Sequence, residues 1–191
     1  AAHQCAREQG GQLLGAAHHI SFTVTDLERT IAFYRDLLGL RLVGRKHRAA
    51  ADLGDALLGT AAPREATAGT ADHATRPAEI LIADMELGDT RLEFIQYVQP
   101  PSTPFHGDPS RAGSAHVALV SDDIERDYRR LQAAGVRFHS PIRTVRDPGR
   151  PEWRWCYFRD PDNICVELVQ SGEDASHAGD TGGANGAGHA G

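Results

Sequence analysis

His19-Ile-Ser-Phe-Thr-Val-Thr-Asp-Leu-Glu-Arg29 and His116-Val-Ala-Leu-Val-Ser-Asp-Asp-Ile-Glu-Arg126 are two versions of one pattern. The histidines align, and Asp26 and Asp123 follow each at the same interval. Leu27 then matches Ile124, Glu28 matches Glu125 and Arg29 matches Arg126. Farther along, Gly39-Leu-Arg-Leu42 matches Gly135-Val-Arg-Phe138 with a one-residue gap. Each half closes on a related run, Arg91-Leu-Glu-Phe-Ile95 and Cys165-Val-Glu-Leu-Val169. A chain that repeats itself at this length holds two copies of one supersecondary unit.

Periodicity supplies the elements of that unit. Residues 18–24 alternate, with Ile20, Phe22 and Val24 on one side and His19, Ser21 and Thr23 on the other, as a half-buried strand requires. Asp26 is placed to cap a helix whose apolar stripe is Leu27, Ile31, Tyr34 and Leu38, and Gly39 is placed to end it. In the second half Asp122 or Asp123 caps, Ile124, Tyr128 and Leu131 form the stripe, and Gly135 stops it. Strands are expected near 40–46, 79–85 and 90–98, and again near 136–139, 152–158 and 163–169. The turn Asp160-Pro-Asp-Asn163 joins the last two, with Asn163 suited to a left-handed conformation.

The expected fold is therefore α+β: two βαβββ modules in tandem, with curved mixed sheets around a metal-binding cleft. The first module covers 17–99, with an insertion at 49–78 and a short helix expected near 51–58. Insertions of that kind often serve as lids or binding loops. Residues 100–113 form a Pro-containing linker, and 114–170 the second module.

Parity decides what faces away from the helices. His19 lies opposite the apolar set of its strand, and His116 lies opposite Val117 and Leu119. Glu93 shares a face with Ile95 and Tyr97, and Glu167 shares one with Cys165 and Val169. A carboxylate among apolar strand neighbours is costly unless a cation neutralises it. Two imidazoles and two carboxylates suit a divalent metal, Zn, Ni, Co, Mn or Fe(II), better than they suit a thiolate-type site. His18 is the rival of His19, but its parity points to the helix side. Trp153, Trp155, Tyr97 and Phe105 are candidates for aromatic walls.

His18-His-Ile-Ser-Phe-Thr-Val-Thr-Asp-Leu-Glu-Arg29 with Phe33-Tyr-Arg-Asp-Leu-Leu-Gly-Leu40 resembles the opening of the vicinal oxygen chelate superfamily. That group includes glyoxalase I, methylmalonyl-CoA epimerase, extradiol dioxygenases, and bleomycin and fosfomycin resistance proteins. Gly113-Ser-Ala-His116, Phe158-Arg-Asp-Pro-Asp-Asn163 and Val166-Glu-Leu168 resemble its second module, so the likeness spans about 17–170. It implies that His19, Glu93, His116 and Glu167 hold one divalent metal. It also implies an isomerase, epimerase or lyase that abstracts a proton next to a metal-bound carbonyl, with Glu93 or Glu167 as the base. An Fe(II) ring-cleaving dioxygenase would use His19, His116 and Glu167, and Glu93 weighs against it. A drug-binding resistance protein without catalysis is the third reading. The family also implies a homodimer. Asn163 stands where the family commonly has Gly.

Composition bounds the rest. The chain has 191 residues, 40% apolar and 24% charged, with a net charge of −6. That balance argues against broad nucleic-acid binding. Arg41 to Arg48 carries four cationic residues and reads as a solvated strand and loop. No apolar run is long enough to span a membrane, and no secretion signal is recognisable, so a cytoplasmic location is expected; the resemblance implies an enzyme acting on a small molecule. Cys5, Cys156 and Cys165 match no zinc motif and no disulfide framework. Residues 1–16 and 171–191 are too polar to offset the entropy of ordering and are expected to be disordered. His177 and His189 lie in that tail and are read as solvated.

Overall fold

The computed structural model describes residues 16–50, 78–105, 110–149 and 151–172. The helix expected near 51–58, most of both terminal segments and Cys5 lie outside the described residues. The elements run β1 (Ile20–Val24), α1 (Leu27–Ala32) extended by a π-helical turn (Phe33–Leu37), β2 (Arg41–Ala50), β3 (Ala78–Leu87) and β4 (Thr90–Gln99). Then come β5 (His116–Val120), α2 (Ile124–Ala133), β6 (Arg143–Val145), β7 (Trp153–Arg159) and β8 (Cys165–Ser171). No helix among the described residues is long and apolar enough to cross a membrane.

Each repeat builds the same four-stranded mixed sheet. The first has the order β1-β4-β3-β2 and the second β5-β8-β7-β6. In both, the first and last strands of the repeat pair parallel, while the remaining pairings are antiparallel. The parallel pairing needs a crossover, which the helix of each repeat supplies. The expected α+β fold with tandem modules is the one observed.

The described residues divide into two compact units: 16–27 with 39–50 and 78–102, and 28–38 with 103–105, 110–149 and 151–172. In the first, Val24, Leu40, Ala83, Met85, Leu92 and Phe94 are buried. In the second, Val117, Leu119, Ile124, Leu131, Cys156, Phe158, Val166 and Leu168 are buried, together with Ile31 and Tyr34 from the first repeat's helix. Burying side chains of this size stabilises by about 1.5–3 kcal/mol each. A βαβββ module read from sequence lays its helix on one face of its own sheet. Here residues 28–38 group with the second repeat, and their polar contacts show why. Tyr34 donates to Asp160 Oδ2 (3.2 Å), Arg29 pairs with Asp162 (3.1 Å), and the Arg130 guanidinium donates to the Leu37 carbonyl (2.6 Å).

Helix ends follow local chemistry. Asp123 caps α2, its carboxylate accepting from Arg126 N at 2.9 Å. Gly39 and Gly135 both take positive φ, 81° and 89°, just past their helices. That conformation is strained for any residue with a Cβ. The repeat also extends one residue beyond the matched runs. Gln96 Oε1 accepts from Leu27 N (2.8 Å), and Gln170 Oε1 accepts from Ile124 N (3.4 Å), so equivalent glutamines cap both helices from the ends of β4 and β8. Gln96→Leu orphans one buried helix N–H and is expected to cost about 1–2 kcal/mol. Urea denaturation with an unchanged midpoint would remove Gln96 from this role.

One strand is displaced from its expected place. Residues 136–139 form only a single bridge, Phe138 to Phe158, and the edge strand β6 begins at Arg143. Pro141 has no N–H to donate, so a ladder entering at Phe138 stops and re-forms after it.

Candidate metal centre

In the first unit, β1 and β4 run parallel, with Ser21 beside Glu93. His19 stands just ahead of β1 with the parity of Ser21. Its Nε2 lies 3.4 Å from Glu93 Oε1. Its other ring nitrogen, Nδ1, shares a 2.7 Å hydrogen bond with His18 Nδ1, and the two rings meet edge to face. His18 is thus a partner of His19 rather than its rival. A metal-binding imidazole commonly has its second nitrogen held this way, which sets tautomer and ring orientation.

In the second unit, β5 and β8 also run parallel, with Ala118 beside Glu167. His116 Nε2 lies 3.0 Å from Glu167 Oε2. Across the β7–β8 hairpin Tyr157 is the register partner of Glu167, and its ring meets His116 edge to face with centroids 5.5 Å apart. Burial, and then the hydrogen bond to Glu167, push the Tyr157 hydroxyl up to about 12, so it stays a donor to that carboxylate. Trp155 packs against Tyr157 from one row along on the same face (5.3 Å). Sequence reasoning passed over Tyr157. Counting back across the Asp160–Asn163 turn would have placed it opposite Glu167.

Both pairs fit a divalent cation. Donors bound to one ion at about 2.1 Å stand about 3.0 Å apart at a right angle and about 3.4 Å at a tetrahedral one. The two observed separations fall at those values. Burial distinguishes these pairs from an ordinary surface contact: the side chains of Glu93 and Glu167 are 14% and 12% exposed. His47 and Glu79 also meet, at 2.8 Å, but Glu79 is 38% exposed and well solvated. A second buried carboxylate, Asp84, is the direct cross-strand partner of Glu93 and takes its positive charge from Lys46. Like charges side by side on adjacent strands are unfavourable. A cation at His19–Glu93 would relieve that row.

The structure brings His19 to Glu93 and His116 to Glu167. Among the described residues no group of three or more His, Cys, Asp or Glu side chains stands together as a metal cage. Cys165 shares the face of Glu167, but burial raises its thiol above the ordinary range, as it raises Cys156 to about 11. Neither is poised to be a thiolate ligand. Of the expected aromatic walls, Trp153 and Trp155 do line the face of Glu167, Tyr97 packs on Ile80, Ile82 and Ile95 in the first unit, and Phe105 is exposed.

Residues 16–168 match the family described as the Glyoxalase/Bleomycin resistance protein/Dioxygenase superfamily. A relative, 2-epi-5-epi-valiolone epimerase from an Actinomyces species, is 30% identical over 157 residues, 81% of this chain and 78% of that protein. The crystal structure of a glyoxalase family protein from Bacillus cereus has a TM-score of 0.64 at 21% identity, covering 85% of this chain and 97% of that one. A glyoxalase family protein from Enterococcus faecalis gives 0.56 at 20% identity, with 83% and 99% covered. At these identities the two structures establish a shared fold.

Proposed function

Because this chain belongs to the glyoxalase/bleomycin resistance protein/dioxygenase superfamily, we propose that it is a metal-dependent enzyme that moves a proton on a carbon beside a substrate carbonyl, as an isomerase, epimerase or lyase does. The observation that carries the reading is the recurrence of one His–Glu contact, largely buried on its carboxylate side, at equivalent positions of both repeats. His19, Glu93, His116 and Glu167 are the donors proposed for one divalent ion per chain, Zn, Ni, Co or Mn. A homodimer is the assembly proposed to carry it. The relative that acts on 2-epi-5-epi-valiolone favours epimerisation within this reaction class.

A bound divalent ion supplies Lewis acidity toward a carbonyl oxygen. The protein supplies the rest. His18 holds the His19 ring in one orientation, and Tyr157 holds Glu167 against His116. Glu93 or Glu167 accepts the proton from carbon at a carboxylate oxygen and returns it. Positioned bases of this kind contribute about 10²- to 10⁴-fold in rate.

The test is elemental analysis of gently purified protein, with His116→Ala and His19→Ala alongside. About one Zn, Ni, Co or Mn per chain, lost in both variants, is the expected result. Metal lost in one variant and kept in the other would show that the pairs do not serve a single ion. Iron, with oxygen uptake on catechols, would replace this reading with a ring-cleaving dioxygenase built on His19, His116 and Glu167. No metal after reconstitution would leave a binding protein.

A further inference from the structure

The cationic run on β2 is not a uniformly solvated surface. Register places Gly44 beside Asp84, Lys46 beside Ile82 and Arg48 beside Ile80. The same rows continue to Glu93, Ile95 and Tyr97 on β4. Lys46 and Arg48 therefore project from the face that carries the His19–Glu93 pair, while Arg45 projects from the other.

Lys46 is held there by design of its surroundings. Its Nζ lies 2.5 Å from Oδ2 of the buried Asp84, yet its side chain remains 41% exposed. Gly44 leaves the space for that carboxylate, because a Cβ at 44 would stand 3.1 Å from Asp84 Oδ2. A lysine fixed through one N–H keeps two donors for a ligand. Arg48 lies one row farther, exposed, with its guanidinium donating to the His47 carbonyl. The buried cluster of Ile80, Ile82 and Ile95 lies in the same rows, and low-polarity ground strengthens charge interactions above it. By ordinary strand spacing the Cα atoms of Lys46 and Glu93 are about 12 Å apart. Their side chains shorten that to the reach of a small metabolite.

We propose that Lys46 and Arg48 form the subsite for an anionic group, a carboxylate or a phosphate ester, on the substrate of this enzyme. The position of the carbonyl at the His19–Glu93 end rests on the function proposed above, whereas the anion subsite rests on β2, β3 and β4 alone.

Three probes share a hydroxyketone and differ in the group on the other side of the carbonyl: a neutral hydroxymethyl in dihydroxyacetone, a phosphate ester in dihydroxyacetone phosphate and a carboxylate in hydroxypyruvate. Calorimetric titration of each into the full chain, metal-loaded and metal-free, is the experiment. At least one anionic probe is expected to bind about tenfold tighter than the neutral one, and which one does so separates phosphate from carboxylate. Lys46→Met combined with Asp84→Asn, which leaves no unpaired buried charge, should remove most of that preference, as should Arg48→Gln. Lys46→Arg should retain it, and metal content in Lys46→Arg and Arg48→Gln should stay at the parent level. Equal binding of all three probes, or a preference that survives both the double variant and Arg48→Gln, would overturn the subsite. A Lys46-dependent anion preference in a chain that takes up no metal would keep the subsite and reject the proposed function.

Discussion

Glu93→Gln and Glu167→Gln are each expected to fold like the parent chain and to lower turnover by about 10²- to 10⁴-fold. Glutamine has the shape of glutamate and keeps an oxygen donor, so strand packing and much of the metal affinity survive. It cannot accept a proton at that oxygen with useful affinity, so the step at carbon fails. Glu167 has the firmer setting, with His116 Nε2 at 3.0 Å and Tyr157 opposite it across the hairpin. Glu93 has His19 Nε2 at 3.4 Å and the Asp84–Lys46 pair beside it. Exchange of the proton beside the carbonyl with deuterated solvent, followed by NMR, reads the step directly. Full exchange in both variants would sink the proton-transfer mechanism, and thermal melts separate lost chemistry from lost folding.

Asp160→Ala is expected to destabilise the chain by about 3–5 kcal/mol, since each orphaned buried donor costs about 1–3 kcal/mol. Asp160 Oδ1 accepts from Asp162 N (2.9 Å) and Ile164 N (2.7 Å), and Oδ2 accepts from the buried Tyr34 hydroxyl. Burial outweighs these donors and pushes the carboxyl up to about 6. The folded state therefore binds this proton more tightly than the unfolded chain does. Its contribution to stability is fully present at pH below about 4 and falls as pH rises to about 6, by a total of about 3 kcal/mol. Asp160→Asn keeps an oxygen for the two backbone donors and cannot ionise. Relative to the parent it should gain stability from pH 4 to pH 7, measured by urea unfolding at each pH. A parent–variant difference that stays constant over that range would remove Asp160 as the titrating group.

The repeat made much of this architecture legible. His19 and His116, the alternation of 18–24 and the runs ending in Glu93 and Glu167 yield two sheets and the faces of their side chains. Gly39, Gly135 and Asn163 mark positions where the backbone takes positive φ. What stayed hidden depends on register, and periodicity reports faces, not neighbours. Tyr157 opposite Glu167, Asp84 opposite Glu93 and Lys46 one row along from Gly44 are all cross-strand relations. The shift of the edge strand to Arg143 turns on the missing N–H of Pro141. His18 was set aside on parity, yet as the residue before β1 it turns its ring to its neighbour. The destination of residues 28–38 was invisible because nothing in an apolar stripe names its partner.

That destination bears on how the chain is made. Arg29 and Asp162 are 133 residues apart, and Tyr34 and Asp160 are 126 apart. On a ribosome the helix of the first repeat emerges long before the turn that holds it. The N-terminal half must therefore wait, with Ile31 and Tyr34 uncovered, until the last hairpin is synthesised. Contacts so distant along the chain slow folding, because loop closure precedes any reward. A fragment ending near residue 102 would carry a helix without its acceptor, and one beginning near 103 an acceptor without its helix. Mixing the two would be expected to restore what neither holds alone.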